Sequence, residues 1–123
     1  MKKKILVIDD EEILTQTFTR LLEKVGYEVY AARNGQDAIA MAEEENFNLI
    51  VCDMRMPGTN GVETIKVIRA SSEGNSNIPV IFVTGFADEA MMVQAEQIKP
   101  MAYFYKPFDS SEILKLIKES VGM

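Results

Sequence analysis

The sequence predicts an α/β fold, a doubly wound five-stranded parallel sheet with five helices, and three observations predict it. Strand-like apolar runs alternate with amphipathic stretches of about 10 to 15 residues, the order expected of βα units. The runs at 5–8, 49–52 and 80–83 are continuously apolar, as strands covered on both faces must be. Right-handed crossovers then wind the helices onto both sides of the sheet.

The first run, ILVI at 5–8, stops at Asp9-Asp10. Ile13, Leu14, Phe18, Leu21, Leu22 and Val25 follow at helical spacing. Glu11 and Glu12 lie where the helix dipole favours acids, and Gly26 can close a helix of about 14 residues. Residues 27–32 read as the second strand, and Asn34-Gly35 as a turn into a helix carrying Ala38, Ile39, Met41 and Ala42. Met41 reads as core filler.

Residues 48–52 form the third strand. It runs into Asp53-Met54-Arg55-Met56-Pro57-Gly58-Thr59-Asn60-Gly61, where a proline and two glycines forbid regular structure. Val62, Ile65 and Ile68 restore helix, which ends in the polar stretch 71–77. Pro79 opens the fourth strand, residues 84–87 make a loop, and Asp88 caps a helix reaching Ile98. Residues 102–105 are the last strand. Asp109 with Glu112 resembles a capping box ahead of Ile113, Leu116 and Ile117.

At 123 residues with 47% apolar content, the chain suits one domain spanning 1–123. Its net charge of -6 argues against a nucleic-acid surface, which needs clustered Lys and Arg. The one basic cluster, Lys2-Lys3-Lys4, reads as a solvated strand entry. No apolar stretch approaches the roughly 20 residues that span a bilayer, and no signal-peptide core follows the lysines, so a cytoplasmic protein is expected. Cys52 sits inside an apolar run and reads as a buried, inert thiol. The absence of histidine excludes histidine-based catalysis and histidine metal sites.

Function is concentrated where the apolar runs end. The first run stops at Asp9 and Asp10, the third at Asp53, the fourth at Thr84 and the fifth at Lys106. In a parallel sheet these carboxyl ends converge beside the point where strand order reverses, which is where ligands bind. Taken singly, each residue has a plain structural explanation. Asp10 could cap a helix, Asp53 could make a turn, Thr84 could end a strand and Lys106 could be a surface cation. Together they supply three carboxylates, a hydroxyl and an ammonium. Carboxylates about 4 to 5 Å apart repel by roughly 3 to 4 kcal/mol at an effective dielectric near 20, so three require a cation or shifted pKa values. A hard divalent ion with oxygen ligands answers that need, and Mg²⁺ suits few carboxylates plus a phosphate oxygen.

The pair Asp9-Asp10, Asp53 followed by Met56-Pro57 and Gly61, Thr84, and Lys106-Pro107-Phe108, each after its strand, together resemble the receiver domain of two-component response regulators over residues 4–121. The resemblance implies a flavodoxin-like sheet of order 2-1-3-4-5. It implies Asp53 as phosphoacceptor and Asp9 and Asp10 as Mg²⁺ ligands, with the Arg55 carbonyl as a further ligand. Thr84 would bond the phosphoryl group, Lys106 would balance its charge, and Tyr103 would be a switching aromatic. Lys106-Pro107 would be cis, and Arg55 and Phe86 would tune phosphoryl lifetime. Partners would be a sensor histidine kinase or phosphotransfer protein and a downstream output, with no nucleic acid or membrane bound directly. A dimer could form through the fourth helix, fifth strand and fifth helix, where Met91-Met92 suits a partner face or packing. Such a domain is a signalling switch that promotes its own phosphorylation and dephosphorylation, acting alone or cut from a longer regulator.

The segment Lys99-Pro100-Met101-Ala102 departs from the pattern in lacking the glycine that often precedes the last strand. Other classes fit less well. An aspartyl-phosphate hydrolase of the haloacid-dehalogenase type wants a second Asp two residues after the nucleophile, where Arg55 stands. A flavodoxin wants a Ser/Thr/Gly-rich phosphate loop where Asp9 to Glu12 stand. A phosphorylation-independent receiver-like module has no need of the intact acidic set.

Overall fold

The alternation of side chains along each strand divides the core into two layers. In a computed structural model, which describes residues 2–56, 58, 60–85 and 88–122, five parallel strands form one sheet of order β2-β1-β3-β4-β5. They are β1 (Lys4–Ile8), β2 (Glu28–Ala32), β3 (Leu49–Cys52), β4 (Val80–Thr84) and β5 (Ala102–Tyr105). Between and after them run α1 (Glu12–Val25), α2 (Gly35–Glu44), α3 (Gly61–Ser71), α4 (Glu89–Ile98) and α5 (Ser110–Val121).

Ile5, Val7, Leu49, Val51, Ile81 and Val83 point to the layer formed with Phe18 and Leu22 of α1 and Ile113 and Ile117 of α5. Their strand neighbours Leu6, Ile8, Ile50, Cys52 and Phe82 point the other way, onto Ala38 of α2, Val62, Ile65 and Ile68 of α3, and Ala95 of α4. A buried aliphatic side chain of this kind contributes about 1.5 to 3 kcal/mol, which is why the register cannot slip by one residue. The doubly wound reading is therefore correct, and β1, β3 and β4 are buried on both faces.

The chain ends its helices largely as the sequence suggests. Gly26 closes α1 at φ 115°, with its N–H donating to the Glu23 and Leu22 carbonyls. Asn34 caps α2 by accepting from the Asp37 N–H, and Asp88 caps α4 through Met91. Asp109 caps α5 by accepting from the Ser111 N–H at 2.9 Å.

Several details differ from expectation. Ile13, counted in the apolar stripe of α1, is 80% exposed, and Thr15 is buried in its place, its hydroxyl donating to the Glu12 carbonyl. The polar stretch at 71–77 holds a short 3₁₀ turn, Glu73–Asn75. Asn75 is fully buried there, donating to the Ala42 carbonyl and accepting from the Phe47 N–H. Within the segment 99–102, which lacks a glycine, Lys99 takes the left-handed conformation at φ 59°. Met91 and Met92 are half-buried against the core, which favours packing as their role. Among the described residues no helix is long and apolar enough to cross a membrane. Pro57, Phe86 and Ala87 lie outside the described residues.

Candidate functional site

Parallel pairing places the strand ends side by side. Ile8 is in register with Cys52, so Asp9 and Asp53 emerge next to each other, and the Asp53 N–H donates to the Ile8 carbonyl at 2.8 Å. Across the sheet, Thr84 pairs with Tyr105, and the Lys106 N–H donates to the Thr84 carbonyl at 2.9 Å. Backbone ladder bonds thus fix where four of the predicted residues begin.

The structure gathers Asp9, Asp10 and Asp53 so that one carboxylate oxygen of each lies within 4.8 Å of the others. Asp9 is 2% and Asp53 5% exposed, and Asp10 is half-buried. Asp10 is not the cap of α1, since Glu11 occupies that position. Lys106 reaches into the cluster, its Nζ lying 3.0 Å from Asp9 Oδ2, 3.3 Å from Asp53 Oδ2 and 2.8 Å from Glu11 Oε1. The Lys106-Pro107 peptide is cis.

Burial pushes the Asp9 carboxyl up to about 6, against the pull of the Glu11 N–H and Lys106. Burial likewise raises Asp53, with Lys106 and the Arg55 N–H acting to lower it. Burial pulls Lys106 down, but its bonds to Glu11 and Asp9 and the Asp53 charge outweigh this and leave it raised. The Lys106 ammonium therefore offsets the buried carboxylates only in part. The donor set fits a hard divalent cation, because oxygen ligands of this charge are what Mg²⁺ takes, and a cation would relieve the strain that burial places on the carboxylates.

The loop after β3 is held by the same groups. The Arg55 N–H donates to Asp53 Oδ1 at 3.2 Å, and Arg55 bridges to Asn60. Asn60 caps α3 through the Glu63 N–H at 2.8 Å. At Gly61 a β-carbon would lie 2.1 Å from the Asp53 carbonyl oxygen and 2.8 Å from Cys52 Sγ, so only glycine lets α3 start this close to β3. Cys52 is fully buried and its thiol is raised well above the usual range by burial, as the inert reading requires.

Thr84 is buried at the end of β4. Tyr103 stands on the α4 side of β5. Its ring stacks on Phe82 with centroids 6.0 Å apart, and its hydroxyl donates to Glu96 Oε1 on α4 at 3.0 Å. Burial and that bond push its hydroxyl up to about 12.

Two residues of this crevice escaped the sequence reading. Glu11 read only as a dipole acid, although its place directly after Asp9-Asp10 could have drawn attention to it. Gly61 was noted as part of a motif without its physical reason.

A fold and a crevice of this kind define a phosphoacceptor receiver. The family model of the response regulator receiver domain matches residues 5–118, and the chain belongs to that family. It is similar to sporulation initiation phosphotransferase F of Bacillus subtilis, 31% identical over 97% of this chain and 94% of that protein. It is also similar to the transcriptional regulatory protein CrdR of Helicobacter pylori, 36% identical over 96% of this chain. The chain spans about half the length of CrdR, 54%. Among solved structures, the receiver domain of a sensor histidine kinase from Pseudomonas aeruginosa, with a magnesium ion coordinated in its active site cleft, superposes with a TM-score of 0.85 at 25% identity, covering 100% of both chains. Receiver domains are signalling domains, and the chain is a phosphoacceptor switch in that general sense.

Proposed function

We propose that Asp53 accepts a phosphoryl group from the phosphohistidine of a sensor histidine kinase or phosphotransfer protein, and that the acyl phosphate changes the surface offered to an output partner. The observation that carries this reading is the buried Asp53 carboxylate, 3.3 Å from the Lys106 ammonium and clustered with Asp9 and Asp10. An Asp53 oxygen attacks phosphorus, the phosphorus–oxygen bond forms as the phosphorus–nitrogen bond breaks, and the departing imidazole nitrogen keeps the electron pair. Charge on the phosphoryl oxygens then meets the Lys106 ammonium and the Thr84 hydroxyl, which are the chain's own means of stabilising a loose transition state.

Asp9, Asp10, Asp53 and the Arg55 carbonyl would hold Mg²⁺. When bound, the ion neutralises carboxylate and phosphoryl charge. The Arg55 N–H fixes Asp53 Oδ1, leaving Oδ2 on the Lys106 side. Sequestration from water follows from the near-complete burial of Asp9 and Asp53.

A phosphoryl group can shift the domain only by interacting differently with two conformations. Thr84 and Tyr103 are the proposed carriers. Movement of Thr84 toward the phosphoryl oxygens would draw the β4–β5 edge with it and alter the bond from Tyr103 to Glu96. Val93 of α4 and Tyr105 of β5 are exposed on that side, which supports its use for a partner or a second copy of the chain. Incubation with acetyl phosphate and Mg²⁺, followed by intact mass, tests the proposal. The parent gains one phosphoryl group, and Asp53→Asn or addition of EDTA abolishes the gain. An equal adduct on Asp53→Asn would remove Asp53 from the role.

A further inference from the structure

Lys106 is shared among three carboxylates, and the shortest of its contacts is not to the phosphoacceptor. Its Nζ lies 2.8 Å from Glu11, 3.0 Å from Asp9 and 3.3 Å from Asp53. An ammonium has three N–H donors and no more, and three carboxylates already compete for them: Nζ donates to Glu11 and Asp53 and forms an ion pair with Asp9. A phosphoryl group arriving on Asp53 brings new acceptor oxygens to an ammonium already surrounded by carboxylates.

We propose that Glu11 is a positioning residue of this site: its carboxylate competes with the phosphoryl group for Lys106 and so weakens the phosphorylated state. The inference rests on the reading of Asp53 and Lys106 given above. Of the three partners, Glu11 is the one able to yield. Its side chain is 62% exposed, so release puts its charge into water at little cost, whereas Asp9 at 3% would keep a buried, uncompensated charge. Glu11 is held in place by its own backbone, whose N–H donates to Asp9 Oδ1 at 2.9 Å. The side chain makes no capping bond to α1, so its replacement leaves the helix start intact. The neighbouring Glu12 supplies the contrast. It is equally exposed, at 61%, and pairs with Arg33 at 3.7 Å.

Beryllofluoride with excess Mg²⁺ is the probe, a stable stand-in for the phosphoryl group, titrated against amide NMR shifts in the full chain. Glu11→Gln and Glu11→Asp should both lower the half-saturating concentration about two- to fivefold, the range expected of one exposed ion pair. The aspartate keeps the charge but loses the reach to Lys106. Glu12→Gln, which removes the same charge without touching Lys106, should leave the value within about 1.3-fold, below what an exposed pair contributes. Parent-like binding by Glu11→Asp alongside tighter binding by Glu11→Gln would overturn the proposal in favour of a simple charge effect. Parent-like binding by both variants would overturn it outright. Failure of the parent to bind would bring down the site reading itself, and the Glu11 proposal with it.

Discussion

Replacing Gly61 by alanine tests how the end of β3 is held. The added β-carbon would lie 2.1 Å from the Asp53 carbonyl oxygen, 3.0 Å from its carbonyl carbon and 2.8 Å from Cys52 Sγ. Neither neighbour is a flexible side-chain end, because the first is backbone in the site and the second belongs to a fully buried residue. Relief therefore requires more than about 1 Å of separation between the start of α3 and the end of β3. Overpacking of this kind costs about 1 to 3 kcal/mol, and the backbone entropy gained with alanine returns only about 0.5 to 1 kcal/mol. A net loss of up to about 2.5 kcal/mol is expected in urea unfolding. The same shift moves the Asp53 backbone, and misplacement of a reacting group by 1 Å can cost on the order of 100-fold, so phosphorylation by acetyl phosphate should slow at least tenfold. Parent-like stability together with a parent-like rate would refute the claim that Gly61 sets the position of Asp53.

Other outcomes follow from the same geometry. Asp9, whose carboxyl rises from an ordinary 3.8 to about 6, binds protons more tightly folded than unfolded. Its contribution to stability is therefore full below about pH 4 and lost as pH rises through about 6, a change on the order of 2 to 3 kcal/mol. In EDTA, Asp9→Asn should match the parent near pH 4 and exceed it by that amount at pH 7; a pH-independent difference would contradict this. Lys106→Met removes the cation between Asp9 and Asp53 and leaves buried carboxylate oxygens without it, which should cost about 1 to 3 kcal/mol at pH 7 in EDTA, with Mg²⁺ restoring most of it in thermal melts. Lys99→Gly relieves a left-handed backbone at φ 59° and should raise the melting temperature by the equivalent of up to about 1 kcal/mol; a lower melting temperature would show Lys99 unstrained.

Sequence carried the strands furthest. Ile5 to Ile8 and Val80 to Val83 are apolar at every position because both faces are covered, so nothing about their tertiary partners was needed to recognise them. Asp9, Asp53 and Lys106 were legible for a related reason, since each is the first polar residue after such a run. What stayed hidden depends on contacts between distant elements. Ile13 fits the helical period of α1 but overhangs its end, and buried Asn75 looks like any polar loop residue until Ala42 and Phe47 are brought to it. The tie between Glu11 and Lys106 joins residues at opposite ends of the chain, and Gly61's close approach to Asp53 is visible only when α3 is docked. Tyr103 could be placed on β5, but its bond to Glu96 could not be foreseen from spacing.

Trapping the acyl phosphate identifies directly the residue that carries the phosphoryl group. Borohydride reduces an aspartyl phosphate to the alcohol, and peptide mapping then locates the converted residue. After acetyl phosphate and Mg²⁺, conversion is predicted at Asp53 alone. Conversion at Asp9 or Asp10, or at no aspartate while the intact protein carries phosphate, would rule out Asp53 as the phosphoacceptor.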